Sequence, residues 1–242
     1  MFKKILGYEI FSGTKDELYA EVIKKEKVHI ISGNSEILNR GLKNKQLFNI
    51  YNDKHSIIIA DGIGTIIASK ILKNSINEKI AGIEFMEYLI KKSIEHNLSI
   101  YFLGGEEKVV ENCFYKLKKK YRGVNIVGFH HGYFSVENCD EIINDINASG
   151  ANILFVAMGN PKQEIFIDKY KEKLNCRIFM GVGGSFDVFS EKVRRAPEFF
   201  IKMNLEWFYR TVKEPKRILR LKEIPLFLIL ALRERRKRKW KY

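Results

Sequence analysis

The chain has 242 residues, of which 45% are hydrophobic and 30% charged, enough for one large soluble α/β domain or a domain with an appendage. Its net charge of +14 is concentrated near the end: residues 1–191 hold 26 Lys and Arg against 24 Asp and Glu, whereas residues 192–242 hold 17 against 5. The basic end predicts an anionic partner. Three isolated cysteines predict a reducing cytoplasm, and no run approaches the ~20 apolar residues of a transmembrane helix.

The predicted elements alternate along the chain. The opening segment, MFKKILGYEIFSG, is interrupted too early for a signal peptide and predicts a first strand. Further buried strands are predicted at 28–32, 56–60, 99–103, 125–129, 152–158 and 177–182. Helical patterns lie at 35–51, 64–73, 83–96, 107–120, 136–148 and 161–174. This alternation predicts an α/β fold with a mostly parallel sheet flanked by helices.

The pattern changes at Pro197, where an amphipathic helix is predicted to begin. We therefore expect a core at 1–196 and a basic helical appendage at 197–242. Within the appendage, the apolar run 224–232 precedes a polybasic run, which is typical of an interfacial anchor. Its apolar side chains would enter the acyl boundary and its cations would meet anionic lipids, at ~1 kcal/mol for each Lys or Arg near the surface.

Polar and glycine clusters follow several predicted strands. They lie at 32–34, 61–64, 104–107, 159–164 and 181–187. Because ligands of parallel α/β sheets bind at the carboxyl ends of the strands, the clusters predict a site there. Ordinary turns have similar sequences, so this pattern alone leaves both interpretations open.

Common catalytic and cofactor motifs are absent from the sequence. Zinc spacing, the G-x-S-x-G elbow and the P-loop lysine are missing, and the G-x-G-x-x-G fingerprint fails at Ile67 and at Phe186. There is also no Asp-x-Asp pair to hold a divalent metal on a diphosphate. We therefore expect no metal and no cofactor, and any diphosphate would be neutralised by cationic side chains, backbone N–H groups and helix N-termini.

Two polar segments each allow two interpretations. In LFVAMGNPKQE, Asn160, Pro161 and Gln163 have nearly the spacing of N-cap, N1 and N3 residues, so Gln163 either caps its helix or serves the site. In ADG, Asp61 is either a turn residue or a general base, and the second role needs a hydroxyl within reach.

Three segments together carry a resemblance that the single residues do not. They are VAMGNPKQE (156–164), MGVGGSFDVFSEKVRRAP (180–197) and LEWFYRTVKEPKRILR (205–220), with weaker agreement at 32–37, 60–64, 81–86, 102–105 and 125–134. In this order they resemble the WecG/TagA/CpsF family of bacterial glycosyltransferases, over about residues 5–225. The resemblance implies a Rossmann-like core and a C-terminal appendage that completes the site at the inner face of the cell membrane.

The implied reaction is metal-independent, inverting transfer of a sugar from a UDP-sugar to a polyprenyl diphosphate-linked sugar in cell-surface polysaccharide synthesis. N-acetylmannosamine, its uronic acid or a hexose of capsule synthesis are all compatible donors, and the segments at 157–166 and 183–189 favour the branch that makes enterobacterial common antigen. A weak homo-oligomer is also expected.

The resemblance implies roles for individual residues. Asp61 matches the proposed general base, Gln163 matches a glutamine needed for activity and is expected to contact the sugar, and Ser32 keeps a hydroxyl where relatives often have threonine. Lys79 stands where relatives have arginine, so it offers departing UDP a point charge rather than two parallel hydrogen bonds. The expected substrate-binding residues are Asn34, Gly62, Gly104, Gly105, Asn160, Pro161, Lys162, Gly183, Gly184, Asp187, Arg195, Arg210, Arg217 and Arg220.

Arg210, Arg217 and Arg220 match basic residues that, in the family, are expected to bind the lipid diphosphate and the leaving nucleotide. His130 and His131 are expected to be structural. Two other functions stay open: a nucleic-acid-binding protein that uses the basic tail, although no RRM, zinc-finger or helix-turn-helix signature is present, and a nicotinamide-dependent oxidoreductase, against which the broken fingerprint argues.

Overall fold

The computed structural model describes residues 1–203, Tyr209, Val212 and residues 221–239. Within these residues, eight strands form one sheet in the order β1-β2-β4-β3-β8-β7-β5-β6. The strands are β1 Phe2–Ile5, β2 Tyr8–Phe11, β3 Val28–Gly33, β4 Ser56–Ala60, β5 Ser99–Gly104, β6 Asn125–His130, β7 Ile153–Ala157 and β8 Ile178–Gly181. Every neighbouring pair is parallel except β1 and β2. The predicted α/β fold with a mostly parallel sheet is confirmed.

Helices cover both faces of this sheet. They are α1 Lys15–Lys24, α2 Ser35–Lys43, α3 Lys45–Tyr51, α4 Ile63–Ile71, α5 Gly82–Glu95, α6 Glu107–Lys120, α7 Asp140–Ala148, α8 Lys162–Tyr170, α9 Ser185–Phe189, α10 Glu198–Lys202 and α11 Glu223–Lys239. Strand β7 illustrates why both faces need a cover: Ile153 and Phe155 enter one hydrophobic core, and Leu154 and Val156 enter another. Alternate side chains of a strand point to opposite faces, so a strand that is apolar throughout must be buried on both.

The first strand was predicted wrongly as a single element. The opening segment forms a hairpin in which β1 pairs antiparallel with β2, with Leu6 and Gly7 at the turn. The helix predicted at 35–51 is two helices, because the Asn44 side chain accepts a hydrogen bond from Leu47 N–H at 3.1 Å and starts α3. Helix α1 was not predicted, although Thr14 provides it with a capping box.

Helix α11 divides the apolar run 224–232 between the core and the surface. Phe227 and Ala231 are fully buried in the core that α2 and α4 also cover, whereas Ile229 and Leu232 are 45% and 46% exposed. The expectation that this run enters lipid is therefore wrong for Phe227 and Ala231. None of the helices described is long and apolar enough to cross a membrane.

Candidate active site

A cleft of about 570 Å³ lies at the carboxyl ends of β3, β4, β7 and β8. These strands are neighbours in the sheet, so the loops that follow them meet at one edge, where parallel α/β sheets bind ligands. The first residues of α2, α4 and α5 complete its walls, with Leu221 and Ile224 near the start of α11. The sequence-predicted residues that line the cleft are Ser32, Asn34, Asp61, Gly62, Lys79, Asn160, Gln163, Gly183, Gly184 and Asp187.

The Asp61 wall of the cleft consists of Ser32, Asp61, Lys79 and Gly82. Asp61 follows β4 directly, and its Oδ2 accepts a hydrogen bond from the backbone N–H of Gly82 at 3.1 Å. Gly82 is the first residue of α5, whose N-cap residue makes no side-chain hydrogen bond. A Cβ on Gly82 would collide with Ser32 Oγ, so glycine lets the hydroxyl and the carboxylate approach the same turn. This wall thus places a partly exposed carboxylate beside a hydroxyl, an arrangement suited to proton transfer from a bound substrate.

Two helix N-termini border this wall. Helix α4 begins after Gly62, no side chain caps it, and the residues of its first turn, Ile63 and Gly64, line the cleft. Uncapped N–H groups at a helix N-terminus suit an anion such as a phosphate. Helix α2 is capped instead by Asn34, whose Oδ1 accepts a hydrogen bond from Ile37 N–H at 3.0 Å. The predicted binding residue Asn34 therefore also has a structural role.

The Asn160 wall, on the other side of the cleft, consists of Arg40, Asn160, Gln163, Glu164 and Gly183. Gln163 Oε1 accepts from Gly183 N–H at 3.1 Å, and Gln163 Nε2 donates to Glu164 Oε1 at 2.8 Å. Asn160 Nδ2 donates to Glu164 Oε2 at 2.8 Å, and Arg40 Nη1 donates to both Asn160 oxygens at 2.6 Å. A continuous hydrogen-bonded chain therefore links α2 to the loop after β8.

This network shows which of the two interpretations of Gln163, helix cap or site residue, fits the structure. Gln163 does not cap α8: Pro161 occupies the N-cap position without a side-chain hydrogen bond, and the Gln163 amide bonds to the Gly183 loop and to Glu164. Only 4% of Gln163 and 1% of Glu164 is exposed. Burial raises the pKa of the Glu164 carboxyl, while hydrogen bonds from Gln163 and Asn160 oppose the increase.

Comparisons with known proteins identify the family. The family model described as "Glycosyl transferase WecG/TagA/CpsF family" matches residues 3–241. An N-acetylglucosaminyldiphosphoundecaprenol N-acetyl-beta-D-mannosaminyltransferase of Bacillus spizizenii is 34% identical over 207 residues, which are 86% of this chain and 79% of the relative. The protein of the same name from Staphylococcus aureus is 36% identical over 208 residues, 86% of this chain and 81% of the relative. The chain belongs to the WecG/TagA/CpsF family of glycosyltransferases.

Some residues expected from this family's motifs lie outside the lining of the cleft. Gly104 has φ +125°, and a Cβ there would collide with the backbone of Ala157, so glycine lets the ends of β5 and β7 approach closely. Gly105 N–H donates to Ala157 O at 2.8 Å, and Gly105 O accepts from Gly132 N–H at 2.9 Å. These two glycines shape the strand end and are not brought to the cleft.

Lys162 and Arg195 also point to other partners. Lys162 Nζ donates to the backbone oxygens of Gly132 and Phe134, at 3.2 and 3.3 Å. Arg195 forms an ion pair with Glu84 at 2.8 Å. Burial alone would raise the pKa of Glu84, but hydrogen bonds from Lys15 and Arg195 lower it. Pro161, which follows a cis peptide bond, lines no part of the cleft, and Arg210, Arg217 and Arg220 lie outside the described residues.

The sequence did not reveal two residues of the Asn160 wall. Arg40 stands in a helix with no motif around it, and only the fold brings it to Asn160. Glu164 belongs to the GNPKQE segment, but its position next to Gln163 gave no sign that it is buried. His130 Nδ1 lies 2.8 Å from the backbone oxygen of His131, and neither histidine is among the residues that line the cleft. Across the described residues, no cluster of three His, Cys, Asp or Glu could hold a metal ion.

Proposed function

We propose that this glycosyltransferase moves N-acetylmannosamine from a UDP-sugar to an N-acetylglucosamine joined through diphosphate to a polyprenol. The names of the relatives from Bacillus spizizenii and Staphylococcus aureus support the transferred sugar and the acceptor. The observation that carries the proposal for this chain is the Asp61 carboxylate, held by Gly82 N–H at 3.1 Å on the wall of a cleft that also contains an uncapped helix N-terminus.

Asp61 is the general base of the proposed reaction. The acceptor hydroxyl oxygen bonds to the anomeric carbon of the donor while its proton passes to an Asp61 oxygen. The bond from that carbon to the diphosphate oxygen breaks, and its electron pair leaves with UDP. Attack on the face opposite the leaving group inverts the configuration. Ser32, beside Asp61, is placed to hydrogen-bond a reacting sugar.

Negative charge develops on the departing diphosphate. The N–H groups at the start of α4 and the Lys79 ammonium both border the cleft, and we assign them to this charge. With these groups the reaction proceeds without a metal ion. Lysine supplies charge without the planar fork of arginine, so the diphosphate is held less precisely than by the arginine expected there.

The proposal places the protein at the inner face of the cell membrane, where a polyprenyl acceptor is anchored. Exposed Arg233, Arg236 and Lys237 on α11, with half-exposed Ile229 and Leu232, suit contact with anionic lipid. The division into a core at 1–196 and an appendage at 197–242, and a weak homo-oligomer, stay predictions.

The test is UDP release from a panel of donors, with and without a short-chain polyprenyl diphosphate-linked N-acetylglucosamine. The panel contains UDP-N-acetylmannosamine, its uronic acid, UDP-N-acetylglucosamine and UDP-glucose. We expect release only from UDP-N-acetylmannosamine, only with acceptor, and unchanged by EDTA. Preference for the uronic acid or for glucose would assign a different donor. No release from any donor, together with strongly salt-dependent binding to RNA or duplex DNA and none to anionic vesicles, would overturn the proposal.

A further inference from the structure

The order of donors and acceptors in the Asn160 wall is forced from both ends. At one end, the Gly183 backbone N–H can only donate, so Gln163 must turn its oxygen toward Gly183 and its NH₂ group toward residue 164. At the other end, the Arg40 guanidinium can only donate, so Asn160 must turn its oxygen toward Arg40 and its NH₂ group toward residue 164. The orientation of both amides thus follows from chemistry.

Residue 164 therefore receives two donors and must accept from both. Its two oxygens take one donor each, Oε1 from Gln163 and Oε2 from Asn160, both at 2.8 Å. A carboxylate meets this demand, whereas a glutamine of nearly the same shape has one oxygen and one NH₂ group. With glutamine at position 164, one donor always faces another donor. A flip of Gln163 or Asn160 only moves this conflict to Gly183 N–H or to Arg40. Because Glu164 is 1% exposed, water cannot relieve it.

The same order leaves one group of Gln163 for the cleft. Its oxygen accepts a hydrogen bond from Gly183 N–H, and one Nε2 hydrogen is donated to Glu164. These two contacts do not use the second Nε2 hydrogen, which can donate to a ligand in the cleft. Gln163 lines the cleft, and a Cβ on Gly181 would collide with its Nε2, so glycine at this position keeps space for the amide.

We propose that Glu164 is a positioning residue that fixes the Gln163 amide, so that Gln163 holds the Gly183 loop with its oxygen and presents an N–H to the substrate. The kinetic part of this inference rests on the proposed function. The structural part does not rest on it, because the order of donors and acceptors in the network can be tested without a substrate.

The first variant is Glu164→Gln, with two measurements. Hydrogen exchange of peptides that cover Gly183 reports whether its N–H is still bonded, and steady-state kinetics separate kcat from KM. We expect faster exchange at Gly183, and kcat lower by about tenfold to a hundredfold with KM for the donor changed by less than about threefold. The matched control is Glu87→Gln, which removes a carboxylate bonded to Lys120 and Tyr121 outside the cleft and should leave Gly183 exchange and kcat unchanged.

Two double variants restore the order of donors and acceptors in different ways. In the double variant Asn160→Asp/Glu164→Gln, the new carboxylate at position 160 accepts hydrogen bonds from Arg40 and from the amide at position 164, and Gln163 keeps its amide. We expect slow exchange at Gly183 and recovery of kcat. In the double variant Gln163→Glu/Glu164→Gln, the network is also satisfied, but the side chain at position 163 has no N–H. We expect slow exchange at Gly183 without recovery of kcat.

Each other outcome overturns part of the inference. If Glu164→Gln had the same Gly183 hydrogen exchange and the same kcat as the wild-type protein, Glu164 would not be a positioning residue. Fast exchange at Gly183 in both double variants would lead to the same conclusion. Recovery of kcat in Gln163→Glu, Glu164→Gln would remove the role of the amide N–H. If the wild-type protein transferred no sugar, the proposed function would fail, while the exchange measurements would still decide the polarity of the network.

Discussion

The two walls of the cleft are built differently. On the Asp61 wall, the side chains that matter are partly exposed, and a backbone N–H and a close glycine hold them in place. On the Asn160 wall, Gln163 and Glu164 are almost completely buried, and hydrogen bonds connect them from Arg40 to Gly183. The first wall offers reactive groups to a substrate, whereas the second fixes the shape of the loop that faces them.

This difference predicts different responses to substitution. A change on the Asp61 wall should remove activity and leave stability nearly intact, because the groups there have access to water in the free protein. A change on the Asn160 wall should lower both, because a buried donor or acceptor loses its partner. The predictions below test this contrast, beginning with the largest expected effect.

Asp61→Asn should separate activity from stability most clearly. Asparagine keeps the size of the side chain and can still accept from Gly82 N–H, but it cannot take a proton from an acceptor hydroxyl. We expect acceptor-dependent UDP release to fall by about 10²- to 10⁴-fold, with a change in unfolding free energy below about 1 kcal/mol. Asp168→Asn, which removes a partner of Lys171 outside the cleft, is the control and should retain activity. Normal activity in Asp61→Asn would remove Asp61 from the mechanism.

Near the amino end of β3, His29 should make stability depend on pH. This side chain is fully enclosed in β3, and burial lowers its pKa to about 3; the charge of Lys171 adds to this effect, and Asp53 opposes it. Between about pH 6.5 and 3 the unfolded chain binds a proton that the native protein does not, so stability falls as pH decreases, by about 1.4 kcal/mol per pH unit.

His29→Leu should remove that part of the pH dependence. Urea unfolding of both proteins at pH 8 measures the packing difference alone, because histidine is neutral there in both states. The difference between the two proteins should then shift in favour of the leucine variant as the pH is lowered from 6.5 to 5. Parallel pH profiles would show that His29 is protonated without cost in the native protein.

Arg40→Met should test whether the Asn160 wall works as a unit. Methionine keeps much of the apolar stem but leaves Asn160 without the donor that fixes its orientation. We expect unfolding free energy to fall by about 1–3 kcal/mol, with a roughly tenfold loss of kcat. Arg177→Met is the control: Arg177 also donates to backbone oxygens, Lys25 O at 3.0 Å and Ile23 O, but at the opposite end of the sheet. A stability loss in both variants with a kcat loss only in Arg40→Met would support the contrast.

The fold was largely predictable because strands buried on both faces are apolar throughout. The predicted strands at 28–32 and 99–103, for example, agree with β3 and β5 to within one residue. The errors occurred where a short local signal decided the structure. The Asn44 cap that ends the long predicted helix and the Leu6–Gly7 turn of the first hairpin are each only one or two residues long.

The site was predictable from polar residues at strand ends and from the motifs of the family. Asp61 and Gln163 stand in polar clusters after β4 and β7, the family resemblance assigned their roles, and the fold brings both to the cleft. The same reasoning grouped Gly104 with them, but Gly104 lies outside the lining of the cleft. Every strand end needs a turn, whether or not it reaches a ligand. Arg40 could not be found this way, since its role depends on a contact between residues 120 positions apart in the chain.

The smallest expected effect belongs to Lys79→Arg on the Asp61 wall. Lys79 is partly exposed at the edge of the cleft, so arginine can be accommodated there with little loss of packing. If this residue binds the diphosphate, the planar guanidinium should hold it with two parallel hydrogen bonds and lower KM for the donor by about twofold to fivefold. Lys73→Arg, on the turn after α4 and outside the lining, controls for a general effect of arginine. An unchanged KM in Lys79→Arg, together with an unchanged KM in Lys79→Met, would remove this residue from donor binding and leave the diphosphate to the N-terminus of α4.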